Sequence, residues 1–149
     1  MILDSVVFHT EEDYPSSLGL EHAATHMGYY WSWIVRRDLH NPQWNELEAA
    51  DVNALKAQQI SGAHFLLQHM SGCLEDRDFN EEGLRFSLFY YDDEEEGYGR
   101  FMEDYIQALN TPELPSFYHV EISASKQVLL DAVFDHALLE WRQSLRSDI

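Results

Sequence analysis

Apolar residues recur along this chain mostly at helical intervals. Over residues 21–38, Ala23, Met27, Tyr30 and Ile34 fall at i, i+4, i+7 and i+11, and Ala24, Trp31 and Val35 widen the stripe. That spacing predicts a helix, ended by Asn41-Pro42. Gly28 lies inside it, where a glycine costs about 1 kcal/mol against alanine; close approach by another helix would explain it. A second helix is expected over about 43–58, with Trp44, Leu47, Val52 and Leu55 facing inward. Ser61 reads as the N-cap of a short helix over 62–70, stopped by Ser71-Gly72. Asn80 can cap another that continues to Tyr91, and Phe101, Tyr105, Ile106 and Leu109 carry one more, closed by Asn110-Thr111-Pro112. The longest pattern, over 124–146, sets Leu130, Phe134, Ala137, Trp141 and Leu145 on one face.

Two stretches are β-prone. Phe117-Tyr118-His119-Val120-Glu121-Ile122 is the better strand candidate, and it could pair with the short run from Val6 to His9. Two such segments make only a marginal ribbon. The expected fold is therefore mainly α: a single helical domain over 1–149 with five to six helices. An irregular lead-in occupies 1–20, the helical body 21–146, and there is room for a short two-stranded β element. No repeat at solenoid period and no long linker divides the chain.

Composition adds a second constraint. With 45% apolar and 13% aromatic residues in 149, the chain has material for one core. Yet 27 acidic residues against nine Lys and Arg give a formal charge of −18. Residues 75–104 hold twelve acids and three bases, a balance of −9 and thus half of the total. Charge of one sign on this scale destabilises the compact state, which suggests that something outside the fold uses it. The same charge argues against nucleic acid, whose phosphates require Lys and Arg, and against an acidic membrane surface. No apolar run approaches the length of a spanning helix, and no signal peptide is visible at Met1-Ile2-Leu3-Asp4, so a cytoplasmic location is expected. The single cysteine, Cys73, suits a reducing compartment and reads as a small buried residue.

Catalytic signatures are sparse. His22 and His26 stand at i, i+4, the spacing that lets two imidazoles share a metal, but no third ligand lies at a usual spacing. His26 reads more simply as a buried, hydrogen-bonded ring. Asp76-x-Asp78-x-Asn80 imitates the opening of a calcium loop but lacks its Gly and closing Glu, so these side chains read as turn formers and caps. There is no phosphate-binding glycine loop and no nucleophile elbow. The expectation is a non-enzyme without cofactor or metal. The candidate partner-binding residues are Tyr90, Tyr91, Asp92, Asp93, Glu94, Glu95, Glu96 and Tyr98, where tyrosines would supply anchoring area and carboxylates would steer a basic partner.

The chain also resembles a family of small bacterial domains of unknown function. The residues that carry the resemblance are Ala24-Thr25-His26-Met27-Gly28, Trp33, Cys73-Leu74, Asp78-Phe79-Asn80-Glu81-Glu82-Gly83, Phe89-Tyr90-Tyr91 and Leu114-Pro115-Ser116-Phe117-Tyr118-His119-Val120-Glu121. They span about 20–122. The family pattern has a small residue in place of His22 and a shorter, less acidic link after the Phe-Tyr-Tyr run. The resemblance implies a bacterial, cytoplasmic protein of the kind found as immunity proteins beside toxins. The leading expectation is thus an immunity protein that neutralises a cognate protein toxin, a basic one such as a nuclease, by stoichiometric occlusion. A metal-dependent protein or enzyme around His22 and His26, or a housekeeping protein-interaction domain, are the alternatives.

Overall fold

The computed structural model describes residues 1–10, 14–92 and 99–147. The chain opens with strand β1 (Ile2–Ser5), and the Ser5 hydroxyl then accepts the Val7 N–H to start a one-turn helix, α1 (Val6–His9). A 3-10 turn over Leu20–Ala24 runs directly into α2 (Thr25–Arg36). Two short helices, α3 (Trp44–Leu47) and α4 (Ala49–Lys56), precede α5 (Gly62–His69), whose first turn is capped by Ser61. Strand β2 (Cys73–Glu75) pairs antiparallel with β1. There follow α6 (Glu81–Tyr90), capped by Asn80, then α7 (Phe101–Leu109) and the long α8 (Ala124–Ser147). No helix among the described residues is long and apolar enough to cross a membrane.

The mainly α class with a two-stranded sheet is as expected, but the described residues contain eight α-helices, where five to six were expected. One reason is a break inside the expected 43–58 helix: Glu48 sits at φ −136°, ψ 50°, and divides it into α3 and α4. The strand assignments also differ. The β-prone residues of 6–9 form α1, and the sheet uses the segments before it and after α5. At 117–122 the Ser116 hydroxyl accepts the Tyr118 N–H, which sets a 3-10 turn over Phe117–His119. Local capping overrides aromatic β-propensity at both places.

Helix α2 is the centre of the fold. Every residue from 25 to 35 is buried, so it is enclosed on all sides rather than along one stripe. Trp31 packs edge-on against Trp44 and Phe79, and Trp33 meets Phe134 of α8. The adjacent Arg36 and Arg37 at its end are both taken up by α8: Arg36 grips Asp131 through two 2.6 Å hydrogen bonds, and Arg37 grips Asp135 through two of 2.8 Å. On α8 itself, Leu130, Phe134, Leu138 and Trp141 are buried while Leu145 is exposed.

Gly28 does allow the close approach its position suggested. A Cβ there would lie 2.2 Å from the Ala63 backbone nitrogen, and one on Gly62 would lie 1.8 Å from the Gly28 carbonyl oxygen. Backbone cannot yield as a flexible side chain can. Gly28→Ala is therefore expected to lose about 1–3 kcal/mol by overpacking, although alanine is the better helix former by about 1 kcal/mol. Urea denaturation measures it; equal or higher stability would show that α2 and α5 can separate freely.

Candidate functional site

Three segments distant in sequence meet around one carboxylate. A shift in register between Ile2 and Asp4 bulges β1, and Asp4 and Ser5 are both buried. Bulges re-aim side chains in this way. Asp4 Oδ1 accepts from its neighbour's Ser5 N–H at 2.8 Å and from His9 Nε2 at 2.7 Å. Asp4 Oδ2 accepts from His26 Nε2 at 3.1 Å and from the Tyr91 hydroxyl at 2.5 Å. His9 Nδ1 is in turn 2.8 Å from the Tyr118 hydroxyl, and the His9 and His26 rings stand edge to face 4.5 Å apart.

Each element delivers its residue for a local reason. The Ser5 cap turns the chain into α1, bringing His9 back over Asp4. His26 lies in the first turn of the enclosed α2 and is 1% exposed. Tyr91 is the C-cap that follows α6, with its ring stacked on Phe101 at 4.3 Å. Phe117 closes over His26 at 5.1 Å.

The electrostatics follow from burial. Burial raises the Asp4 carboxyl, but hydrogen bonds from His26 and His9 outweigh it and hold the group well below the ordinary carboxylate range. Burial depresses the His26 imidazole, and the Asp4 contacts only partly oppose that. Burial and the Asp4 charge together push the Tyr91 phenol far up, so it remains a donor. Ionised Asp4 accepts only, and both Nε2 atoms must then carry protons. The second nitrogens do not fix that tautomer, however. His26 Nδ1 is buried without a partner, and the Tyr118 hydroxyl can either donate to or accept from His9 Nδ1. One donor atom from each of Asp4, His9 and His26 lies within 4.8 Å of the others.

His22 takes no part: its side chain is 42% exposed and lies 4.0 Å from Glu21. Sequence spacing thus found His26 and the wrong second histidine. Of the acidic–aromatic candidates, Tyr90 and Tyr91 are core residues. The Tyr90 hydroxyl donates to Asp104 at 2.6 Å, and Tyr91 donates to Asp4, so neither ring offers anchoring surface. Asp92 is half-buried. Asp93, Glu94, Glu95, Glu96 and Tyr98 lie outside the described residues.

A second perturbed carboxyl stands elsewhere. Burial pushes Asp78 up to about 6, although Oδ2 accepts the Glu75 N–H at 2.7 Å in a reciprocal cap. Its role is in the turn after β2, as the sequence suggested for this segment.

The description "Domain of unknown function (DUF7832)" belongs to the family whose pattern matches residues 2–120. The chain belongs to this family. The matched span includes Asp4 and His9, which precede the region of resemblance, together with His26, Tyr91 and Tyr118; it stops before α8. No curated protein and no solved structure matches the chain.

Two outcomes are expected. Tyr91→Phe keeps the stacked ring but removes a donor to a buried charge, and should lower stability by about 1.5–3 kcal/mol in urea denaturation; an unchanged midpoint would show that the hydroxyl contributes nothing. For Asp78, a folded pKa raised above the unfolded 3.9 or so means that its contribution is present at low pH and is lost as pH rises through about 6. Asp78→Asn should therefore flatten stability against pH between about 4 and 6; an unaltered profile would assign the slope to other groups.

Proposed function

We propose that this chain is a metal-dependent protein whose centre is Asp4, His9 and His26. The observation that carries the reading is the convergence of one carboxylate and two imidazoles on a common point, with donor atoms all within 4.8 Å. Cations bound at about 2.0–2.1 Å place neighbouring ligands about 2.9–3.4 Å apart. The Asp4–His26 and Asp4–His9 separations of 3.1 and 2.7 Å are near that range before any ion draws the ligands to itself. A cation in place of the two Nε2 protons would require each ring to hold its proton on Nδ1, which the Tyr118 hydroxyl can accept at His9.

Two imidazoles and one carboxylate suit zinc, iron or manganese better than calcium or magnesium. Three protein ligands would leave a position open, the pattern of catalytic rather than structural sites. Tyr118 would act on His9 from outside, accepting its Nδ1–H and so orienting the ring. This keeps one half of the alternative drawn from the sequence, His26, and replaces its proposed companion.

Untagged protein, purified without chelators, should hold about one transition-metal ion per chain by elemental analysis. His9→Ala and His26→Ala should each lose it, while His22→Ala should retain it. Wild-type protein that stays metal-free after dialysis against zinc, iron(II) and manganese(II) would overturn the assignment.

A second reading concerns the surface. We infer that the acidic excess recruits a basic protein, a cognate toxin being the specific proposal, held by stoichiometric occlusion. What supports it is the net charge of −18 that remains after all nine Lys and Arg are counted, with Arg36, Arg37, Lys56, Arg77 and Arg142 each paired to an acid within the chain. Replacing Asp92, Asp93, Glu94, Glu95 and Glu96 by Ser and Asn should slow association with the product of an adjacent toxin gene and weaken its salt dependence. Full protection in co-expression after that replacement would remove this acidic run from the interface.

A further inference from the structure

On another side of α2 from the carboxylate cluster, a cleft of about 190 Å³ opens between α2, the turn into α5 and the turn into α8. Although 24% of the chain is charged, no charged side chain lines this cleft. Its walls mix hydroxyl and amide side chains with apolar ones such as Ile60 and Ile122. Two helices begin at its edge: α5 at Gly62 and the 24-residue α8 at Ala124. The first-turn amides of Gly62, Ala63 and Ala124 have no intrahelical acceptor. The Ser61 and Ser123 hydroxyls are committed to the amides of His64 and Lys126, the third residue of each helix. Both helix dipoles therefore bring partial positive charge to one small space. Gly28 and Gly62 bring the α2 and α5 backbones into direct contact at one wall of the cleft.

Helix ends alone would not make a site, but two buried side chains are also left incomplete there. Thr25 is 4% exposed and lines the cleft, and its hydroxyl has no hydrogen-bond partner among the described residues. Thr25 stands on the same face of α2 as Gly28, Tyr29 and Ser32, which line the cleft with it. Gln127 is 8% exposed and spends both N–H bonds inside the protein, on the Tyr29 carbonyl and on Asp131. Its Oε1 has no hydrogen-bond partner among the described residues, and Gln127 lines the same cleft. The cleft thus combines amide donors, a hydroxyl and one buried acceptor.

We propose that this cleft binds a protonated phosphate oxyanion, either hydrogen phosphate itself or a small phosphomonoester. The helix amides and the Thr25 hydroxyl meet the anionic oxygens. The Gln127 Oε1 meets a P–OH, which phosphate has and fully ionised sulfate lacks. The size is in keeping, since drug-sized ligands need about 300 Å³ or more. The proposal is independent of the metal centre and does not use its residues. The overall charge of −18 also works against loose anion binding, so saturable uptake would have to come from a built site.

Calorimetric titration of the full chain with inorganic phosphate, glycerol 3-phosphate, sulfate and chloride at equal ionic strength, near pH 6, tests it. Phosphate should bind saturably at one site, with sulfate at least about tenfold weaker, the loss of roughly one hydrogen bond to a charged group. Tighter binding of glycerol 3-phosphate than of phosphate would assign the phosphomonoester, and weaker binding the free ion; either supports the site. Gln59→Glu, which sets a carboxylate on the exposed rim, should abolish binding without touching the core. Thr25→Val should weaken it about tenfold. Equal response to sulfate, a response to chloride, or unchanged phosphate binding in Gln59→Glu would overturn the proposal.

Discussion

A carboxylate buried without partners is unstable, because an ion removed from water must regain its solvation from the protein. At Asp4 that requirement is met by four donors: its own strand, α1, α2 and α6. Besides Asp4, the first ten residues are held by the short β1–β2 pairing and by Leu3 and Val6 against the core, since α1 is a single turn with no buried residue. Asp4 ties β1 and α1 to the central helix. It also fixes the end of α6, because Tyr91 reaches it across the Phe101 ring. The aromatic layer continues from there through Phe101 to Phe134 of α8, at 5.6 Å. The same carboxylate supplies the only buried negative charge in reach of His9 and His26 among the described residues, and so defines the candidate centre.

The central helix serves two different neighbours from adjacent positions. Successive residues on a helix point about 100° apart, so His26 faces the N-terminal segment while Thr25 faces the cleft at the starts of α5 and α8. Total enclosure of α2 makes this possible. A half-exposed helix would offer one buried face, whereas this one has a buried polar residue on more than one side: Thr25, His26 and Ser32. At its far end the two arginines do comparable work for α8, pairing with Asp131 and Asp135.

Much of this fold was legible where the signal is local. Ser61 and Asn80 cap the helices they were expected to cap, Gly28 meets a neighbouring backbone, and Leu130, Phe134 and Trp141 of the α8 stripe face inward while Leu145 at its end does not. The errors arise where periodicity is silent. Val6, Val7 and Phe8 look like a strand, yet a single serine hydroxyl turns them into a helix. The aromatic residues of 117–119 look like a strand because packing around His26 leaves no trace in period or propensity. The candidate centre was least legible of all. His26 was visible through a neighbour at i−4 that faces solvent, while its actual companions lie 17 and 22 residues earlier, in a segment read as an irregular lead-in. The one available hint was an acid and a histidine embedded in an apolar N-terminal run. Tyr90 and Tyr91 were drawn toward the surface by their acidic neighbours, but their hydroxyls each find a buried or half-buried carboxylate.

In the proposed centre the Asp4 carboxylate is a shared ligand with His9 and His26. Anomalous diffraction from crystals soaked in a zinc salt, recorded on both sides of the zinc edge, tests that most directly. The account predicts one strong peak about 2.0–2.2 Å from an Asp4 oxygen and from Nε2 of His9 and His26, with Tyr118 still against His9 Nδ1. An empty centre, with Asp4 still accepting from both imidazoles in the soaked crystal, would contradict it.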